Sequence, residues 1–599
     1  MPTSAEVQAM LTGPGGPFEV VTDTVNGVEM KVYKDRMKSL REVAAMGFGR
    51  GDEQDFIVYG SDRYGFSQFG GLANRVSAGL GLAAGDRVAV LSANNPEWCL
   101  TFWGTVNAGG ILVGLNGWWK TEEILYGLED SGSRVLVADG PRFERIADSL
   151  DSLPALERVY VVGVEGADVP DHPKVRPFSE LVSAGGGVAG GGVDPGLPDV
   201  PIDEDDHAVI FYTSGTTGKP KGAISTHRSM IANLQNTIYN AIAGAMSGGG
   251  VFDASGATQT ASLLTSPLFH VSGCHSGLVV GLAAGVKLVI PVGKFEPEKA
   301  MQLIQDEKIT VWATVPTMVW RVVEHPARHD FDLSTITSVA YGGSPSAGEL
   351  QRRVQETFPS VRTLGNAYGL TESSSVATVN SGAEFLARPD SVGRAMPVVD
   401  VKIVGPDGPS VDVPPGEIGE VWIKGPIIMP GYWNKPEATA EVITDGWLHS
   451  GDIGYLDADG FLYITDRAKD MIIRGGENVY CVEIENRLVE HPAVAEAAVI
   501  GVPHPTLGEE VKAVVRLEPD ALGSAGSAGR GGGSVSGGSG AGGSVSVAEL
   551  QSWVAETLAN FKVPAYIEFA DAPLPRNASG KLLKNVLRGE GEVSFAETM

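Results

Sequence analysis

Three cysteines in 599 residues, Cys99, Cys274 and Cys481, are too few and too scattered for a disulfide framework or a cysteine metal site. That scarcity fits a reducing compartment, and a cytoplasmic location is expected. Basic charge is scarce as well: 45 Lys and Arg face 73 Asp and Glu, a formal net charge of −28. A field of that sign repels polyanions, which excludes generic attraction to nucleic acid or to an anionic membrane. Any anion bound here must be held by a few placed groups. Long apolar runs are missing too. The longest, Gly277 to Val292, is broken by three glycines, Lys287 and Pro291. It predicts a helix followed by a buried strand, not a membrane span. Met1 to Phe18 lacks a basic start and an apolar core, so no signal peptide is expected. Ala596 to Met599 carries no lipidation signal.

What the chain does have is length for several domains and ordinary hydrophobic content, 43%. Short apolar runs alternate with amphipathic stretches. Arg87–Ser92, Arg134–Ala138 and Arg158–Val162 read as buried strands, and Glu97–Asn107 as a helix. A second set starts near Asp206 and includes Lys287–Pro291 and Thr310–Thr314. This alternation predicts parallel α/β sheets. From about Val398, short β-rich segments with turn signals (Gly405-Pro-Asp-Gly408, Pro414-Pro-Gly416) predict a small antiparallel barrel-like unit. After about Lys469 comes a small domain of mixed strand and helix. Glycine, 79 residues or about 13%, is near twice the usual ~7%. Part of it sits in Ala184–Gly196, Ser247–Gly256 and Gly523–Ser544, whose Gly/Ser/Ala composition predicts surface insertions without a packed core.

The most informative stretch is Val209-Ile-Phe-Tyr-Thr-Ser-Gly-Thr-Thr-Gly-Lys-Pro-Lys-Gly222. An apolar strand runs into glycines and small hydroxylic residues, then Lys219 and Lys221. Glycines let backbone amides turn toward an anion, hydroxyls add donors and lysine adds charge, so the stretch predicts a phosphate-handling loop. It is not a Walker loop: Thr213 stands where that motif needs its first glycine, and Pro220 follows the lysine where Ser or Thr is required.

Here the chain resembles the adenylate-forming superfamily, which holds acyl-CoA synthetases, luciferases and peptide-synthetase adenylation domains. Tyr212–Gly222 is similar to its phosphate loop. Asn366-Ala-Tyr-Gly-Leu-Thr-Glu372, Ser450-Gly-Asp-Ile-Gly454, Thr465-Asp-Arg-Ala-Lys-Asp470 and Pro575-Arg-Asn-Ala-Ser-Gly-Lys581 follow in the family's order. The resemblance spans about residues 40 to 590. It implies an α/β fold: a large N-terminal domain, 1–467, of two doubly wound α/β subdomains plus a small β-barrel, then a mobile α+β C-terminal domain, 468–590, and a tail, 591–599.

The resemblance also implies roles. ATP or AMP would be held by Thr213, Ser214, Gly215, Thr216, Thr217, Gly218, Lys219, Lys221, Gly342, Gly343, Ser344, Asn366, Ala367, Tyr368, Gly369, Asp452 and Arg467. Glu372 is a hard oxygen ligand suited to Mg²⁺. Thr371 can bond the α-phosphate, Tyr368 offers a flat face to adenine, and Asp452 can accept from both ribose hydroxyls. Lys581 would reach the carboxylate and α-phosphate oxygens. Lys469 would be the hinge about which the small domain rotates between half-reactions. Arg474, Gly475, Gly476, Glu477 and Asn478 would line a tunnel for the CoA pantetheine. Cys481 stands where many relatives have proline, and a buried structural thiol is the expected reading.

Ser266-Pro-Leu-Phe-His-Val-Ser-Gly-Cys-His275 resembles the acid-binding segment of fatty acyl-CoA ligases. His270 would sit by the carboxylate, with Val271, Gly273 and Cys274 as an apolar wall. Adenylation domains instead place an aspartate near here, and Phe252-Asp-Ala-Ser255 mimics that only by coincidence. Trp118-Trp119 reads as a packed surface pair. The reading is therefore an ATP-, Mg²⁺- and CoA-dependent ligase for a medium- or long-chain fatty acid. An acyl-adenylate ligase serving a carrier protein, a CoA ligase for aromatic or sterol side-chain acids, and a non-catalytic nucleotide or acyl sensor are the alternatives. The expected partners are the acid, ATP and CoA. No nucleic acid and no transmembrane segment are expected, and a homodimer is left open.

Overall fold

A computed structural model describes residues 2–183, 194–213, 219–247, 258–342, 348–405, 408–409, 411, 413–475, 477–518, 545–577 and 581–590. Two large sheets carry the first two-thirds of the chain. In the first, seven strands run in the order Lys221–Thr226, His207–Thr213, Ile111–Gly114, Arg87–Leu91, Val135–Asp139, Arg158–Val162, Val175–Pro177. All neighbours are parallel except the first two. The second has nine strands: Arg394–Ala395, Thr378–Ser381, Thr363–Tyr368, Ser338–Gly342, Val311–Thr314, Ala261–Leu263, Lys287–Ile290, Asp55–Tyr59, Asp62–Gly65. Its centre is parallel and its edges antiparallel.

Strand alternation explains how these sheets pack. Val88 and Val90 face a central core that also holds Ile57, Leu288 and Ile290 of the second sheet. Their neighbours Ala89 and Leu91 face an outer core with Leu136 and Ile210. Val289 turns the other way, into the core behind the second sheet. Both sheets are buried on two faces, which is why their strands read as continuous apolar runs. Helices Leu40–Phe48, Phe66–Leu80 and Pro96–Asn107 supply much of the central core, and Asn95 caps the last by accepting the Trp98 N–H at 2.8 Å.

An antiparallel five-stranded sheet follows, with Asp400–Val404, Gly419–Lys424, Trp447–Leu456, Ile443–Thr444 and Leu462–Arg467. A second five-stranded sheet pairs Glu477–Val479, Ile472–Arg474, Gly508–Leu517, Val494–His504 and Tyr566–Phe569, and helices Cys481–Val489 and Val547–Ala555 pack on it. The α/β class and the large-then-small arrangement are those expected.

Details sharpen several expectations. The apolar stretch from Gly277 is helix then strand, but the helix opens with a π turn, Cys274–Val279, before the α turn Val280–Ala284. Three cysteines are buried and free, among them Cys481. Trp119 is buried edge-on to Tyr212, and Trp118 is half-buried against Phe269. Of the segment Ala184–Gly196 only Asp194–Gly196 are described; they are exposed, and Asp194 accepts from Asn74 at 3.0 Å and from the Gly196 N–H at 2.8 Å. The rest of that segment, Gly248–Gly256 and Gly523–Ser544 lie outside the described residues. Among the described residues no helix is long and apolar enough to cross a membrane.

Candidate active site

In open parallel sheets, ligands bind beyond the carboxyl ends of the strands. Three such ends converge here. Thr213 closes the strand that enters the phosphate loop, Gly342 closes its own strand, and Tyr368 ends the strand that leads to Glu372. Gly342 and Ala367 are register partners, as are Tyr341 and Asn366. Ser214–Gly218, Gly343, Ser344 and Gly476 lie outside the described residues.

The phosphate loop spans the tip of an antiparallel pair: Thr213 faces Lys221 and Tyr212 faces Gly222. Both lysines rest on tyrosine rings. The Lys219 Nζ lies 4.7 Å from the Tyr126 ring centroid, and the Lys221 Nζ lies 5.2 Å from that of Tyr432. Under the loop sits a hub. Asp130 accepts from the Tyr212 hydroxyl at 2.9 Å, from Tyr126 at 3.3 Å and from Lys435 at 2.6 Å. The Tyr126 hydroxyl also lies within 3.2 Å of the Pro220 carbonyl.

Thr371 and Glu372 occupy a short 3₁₀ turn, half-buried. The Glu372 Oε1 accepts from the Tyr432 hydroxyl at 2.8 Å, and its carbonyl accepts the Met429 N–H at 2.8 Å. The chain then turns sharply through Ser374 and Ser375, whose φ values are 50° and 107°. Gly369 permits the turn: a Cβ there would lie 1.5 Å from the Ser375 carbonyl oxygen.

Asp452 and Arg467 face each other across neighbouring strands and pair at 2.9 Å. Asp452 is 2% exposed and also accepts from the Tyr368 hydroxyl at 2.7 Å. Burial, with Asp452 alongside, raises the Tyr368 phenol well above its ordinary range. Lys581, more than a hundred residues later, comes within electrostatic range of the pair. Burial first, then Arg467 and Lys469, push its ammonium down to about 7 against the pull of Asp452 and Asp470. Its N–H donates to the Asn577 Oδ1 at 2.9 Å.

The acid-binding candidate is clamped at both ends. Asn94 accepts the Leu268 N–H at 2.8 Å and donates to the Ser266 carbonyl at 2.9 Å. His270 follows, its ring 4.9 Å from that of Phe269, and burial pushes it down to about 4. Gly273 is needed for backbone contact, since a Cβ there would lie 2.2 Å from the Pro267 carbonyl oxygen. Val271 is half-buried, while Cys274 sits in the central core and burial drives its thiol well up. His275 is 1% exposed; its Nδ1 lies 3.2 Å from the Ser374 carbonyl, so that nitrogen carries the proton. The Ser276 and Ser375 hydroxyls meet at 2.8 Å.

Arg474, Gly475, Glu477 and Asn478 form a tight hairpin, with Gly475 at φ 62°. The hairpin is exposed at Gly475, Glu477 and Asn478, and Arg474 is ion-paired to Glu510. Lys469 lies in the turn between Arg467 and Ile472, where the Asp470 N–H donates to the Arg467 carbonyl at 2.9 Å. Sequence reasoning missed Asn94, Tyr126, Asp130, Tyr432 and Lys435, none of which sits in a recognisable local pattern.

The description "AMP-binding enzyme" matches residues 48–433, and "AMP-binding enzyme C-terminal domain" matches 483–581. The chain belongs to the AMP-binding enzyme family. Within that family it is similar to a feruloyl-CoA synthase from an Amycolatopsis species, 34% identical over 519 residues that cover 86% of this chain and 91% of the relative. It is 33% identical to the Mycobacterium tuberculosis long-chain-fatty-acid–CoA ligase FadD13, across 88% of this chain and 93% of that one. Among solved structures it resembles the Bacillus subtilis o-succinylbenzoate-CoA synthetase MenE in complex with its acyl-adenylate, at 28% identity and a TM-score of 0.71, covering 92% and 98% of the two chains. Membership bears out the resemblance to the adenylate-forming superfamily.

Among the described residues, no three His, Cys, Asp or Glu side chains gather as a metal cage. A divalent ion here would rest on one carboxylate and the nucleotide's own phosphates, the arrangement Mg²⁺ favours. Glu372, half-buried and oriented by a hydrogen bond, fits that demand.

Proposed function

We propose that this protein is an AMP-forming acid–CoA ligase acting on a medium- or long-chain fatty acid. The observation that carries the reading is the buried Asp452, which pairs with Arg467 and accepts from the Tyr368 hydroxyl at the ribose candidate, with Lys581 of the C-terminal segment in electrostatic reach of that pair. In the first half-reaction a carboxylate oxygen attacks the α-phosphorus of ATP; the bond to the β-phosphate oxygen breaks, and pyrophosphate leaves. Two anions must meet, so charge neutralisation dominates the barrier. Lys581 supplies charge at the new acyl-phosphate anhydride, Lys219 and Lys221 at the leaving pyrophosphate, and Thr371 a donor to the α-phosphate. Mg²⁺, held by Glu372, would neutralise phosphate charge when bound. Asp452 and Arg467 fix the ribose, and neutral His270 lies beside the acid. In the second half-reaction the CoA thiolate attacks the acyl carbon, and AMP leaves with the bonding electrons. A rotation about Lys469 would bring the Arg474–Asn478 hairpin to the site for this step.

The half-buried Val271 and the similarity to a long-chain-fatty-acid–CoA ligase support the fatty acid. A second reading, an aromatic acid, draws on the rings of Trp118, Phe269 and His270, which follow one another edge-on at 5.6 Å and tilted at 4.9 Å. Pyrophosphate release and CoA-thioester formation across C2–C20, aromatic and steroid acids decide between them. The fatty-acid reading expects the highest kcat/KM at C8 or longer; a maximum on aromatic acids replaces it, and no thioester with any acid overturns the CoA assignment.

A further inference from the structure

The segment Met429–Trp433 ties together two parts of the site that sequence keeps far apart. Its backbone runs beside the strand that leaves the phosphate loop. The Ile224 N–H donates to the Gly431 carbonyl at 3.2 Å, the Trp433 N–H donates to the Gly222 carbonyl at 2.8 Å, and Ala223 and Tyr432 form an antiparallel bridge. On its other side the Met429 N–H donates to the Glu372 carbonyl. At the centre stands Tyr432, 9% exposed, its own N–H donating to the Thr439 Oγ1 at 2.9 Å. Its hydroxyl donates to the Glu372 Oε1, and its ring face carries the Lys221 ammonium.

We infer that Tyr432 is a positioning residue that sets Glu372 and Lys221 against one another for the metal–nucleotide complex. This rests on the reading of Glu372 as the metal carboxylate. A free carboxylate on a short turn can rotate about its last torsion. A single donor on Oε1 removes that freedom and leaves Oε2 as the oxygen to present to a cation, the role outer partners play at metal sites. The ring does the complementary task. A cation over an aromatic face is held without being neutralised, whereas a carboxylate partner would have to be released before a phosphate could bind. One side chain thus fixes a metal-ligand oxygen and a phosphate-binding cation at a set separation, anchored by a backbone bridge to the loop's own strand.

The test is Mn²⁺ binding to the full-length protein with a non-hydrolysable ATP analogue, read from the free Mn²⁺ signal in electron paramagnetic resonance. Tyr432→Phe keeps the buried ring and removes only the donor. It is expected to weaken Mn²⁺ affinity about tenfold, to raise the Mg²⁺ concentration for half-maximal adenylation by a similar factor, and to leave attack of CoA on supplied acyl-adenylate unchanged. Glu372→Gln is expected to weaken Mn²⁺ binding at least as much, and Tyr432→Phe to add nothing in that background. Wild-type Mn²⁺ affinity in Tyr432→Phe, with Glu372→Gln impaired, overturns the inference alone. Wild-type affinity in Glu372→Gln overturns the reading of Glu372 beneath it. Additive losses in the double variant show that Tyr432 does not act through Glu372 and also overturn the inference.

Discussion

On the proposed reading single residues carry the chemistry, and Lys581 is the one most open to test. With its ammonium pushed down to about 7, the protonated form is lost as pH rises through neutrality in the free enzyme. Because kcat/KM reports the free enzyme, kcat/KM for ATP in adenylation is expected to fall above about pH 7. Lys581→Arg, which stays charged, should flatten that limb. Lys581→Ala is expected to slow acyl-adenylate formation roughly 10²–10³-fold while CoA attack on supplied acyl-adenylate proceeds; equal loss of both steps would remove the assigned role. Gly369 is a residue of a different kind. A Cβ there would lie 1.5 Å from a carbonyl oxygen, so Gly369→Ala must displace the turn after Glu372. Thermal unfolding should show a loss of about 2 kcal/mol or more, together with a raised ATP KM. Cys481 shows how a departure from a family pattern is absorbed. It opens its helix where proline would be tolerated, yet its N–H is used, donating to the buried Asp466 carboxylate, and its thiol donates to the Asp470 carbonyl at 3.0 Å.

At the scale of elements, the strands that flank the phosphate-loop candidate, His207–Thr213 and Lys221–Thr226, are steadied by a buried carboxylate. Two tyrosines and Lys435 converge on Asp130, whose side chain is 6% exposed. Asp130→Ala removes the carboxylate all three share, leaving Tyr212 and Tyr126 only the Gly127 and Pro220 carbonyls, and is expected to cost about 1–3 kcal/mol of stability and to weaken ATP binding more than acid binding, measured by calorimetry and denaturant unfolding. None of this is written locally. Arg87–Leu91 and Arg158–Val162 are legible because a strand buried on both faces must be apolar at every position. The phosphate-loop candidate stands out in the sequence because glycines and hydroxyls in such density have few other uses. Asp130 lies 82 residues from Tyr212 and 305 from Lys435, and a contact at that distance leaves no period. The π turn at Cys274–Val279 is equally silent, since one extra residue in a helix changes neither composition nor hydrophobicity.

The molecule as a whole is acidic, yet it is built for polyanionic ligands. On the proposed reading the few cations that matter are placed: Lys219 and Lys221 are kept available on rings, whereas Arg467 is held on the Asp452 carboxylate. The glycine excess has a separate source in the insertion between Glu518 and Val545. Loop closure cost grows only slowly with length. Deleting Gly523 to Ser544 is therefore expected to leave adenylation and thioester formation within about twofold of the parent and Tm nearly unchanged. A large loss of turnover in a folded variant would give that insertion a function.

The seam of His275–Ser374 and Ser276–Ser375 has a practical consequence. It fastens the candidate acid-binding segment directly to the turn that follows Glu372, so on the proposed reading acid choice and nucleotide handling share hardware. Redesign of the acyl pocket through the π turn will not be modular: each change in acid preference made there should carry a shift in ATP and metal dependence, and selection on a new acid should recover compensating changes around Ser374.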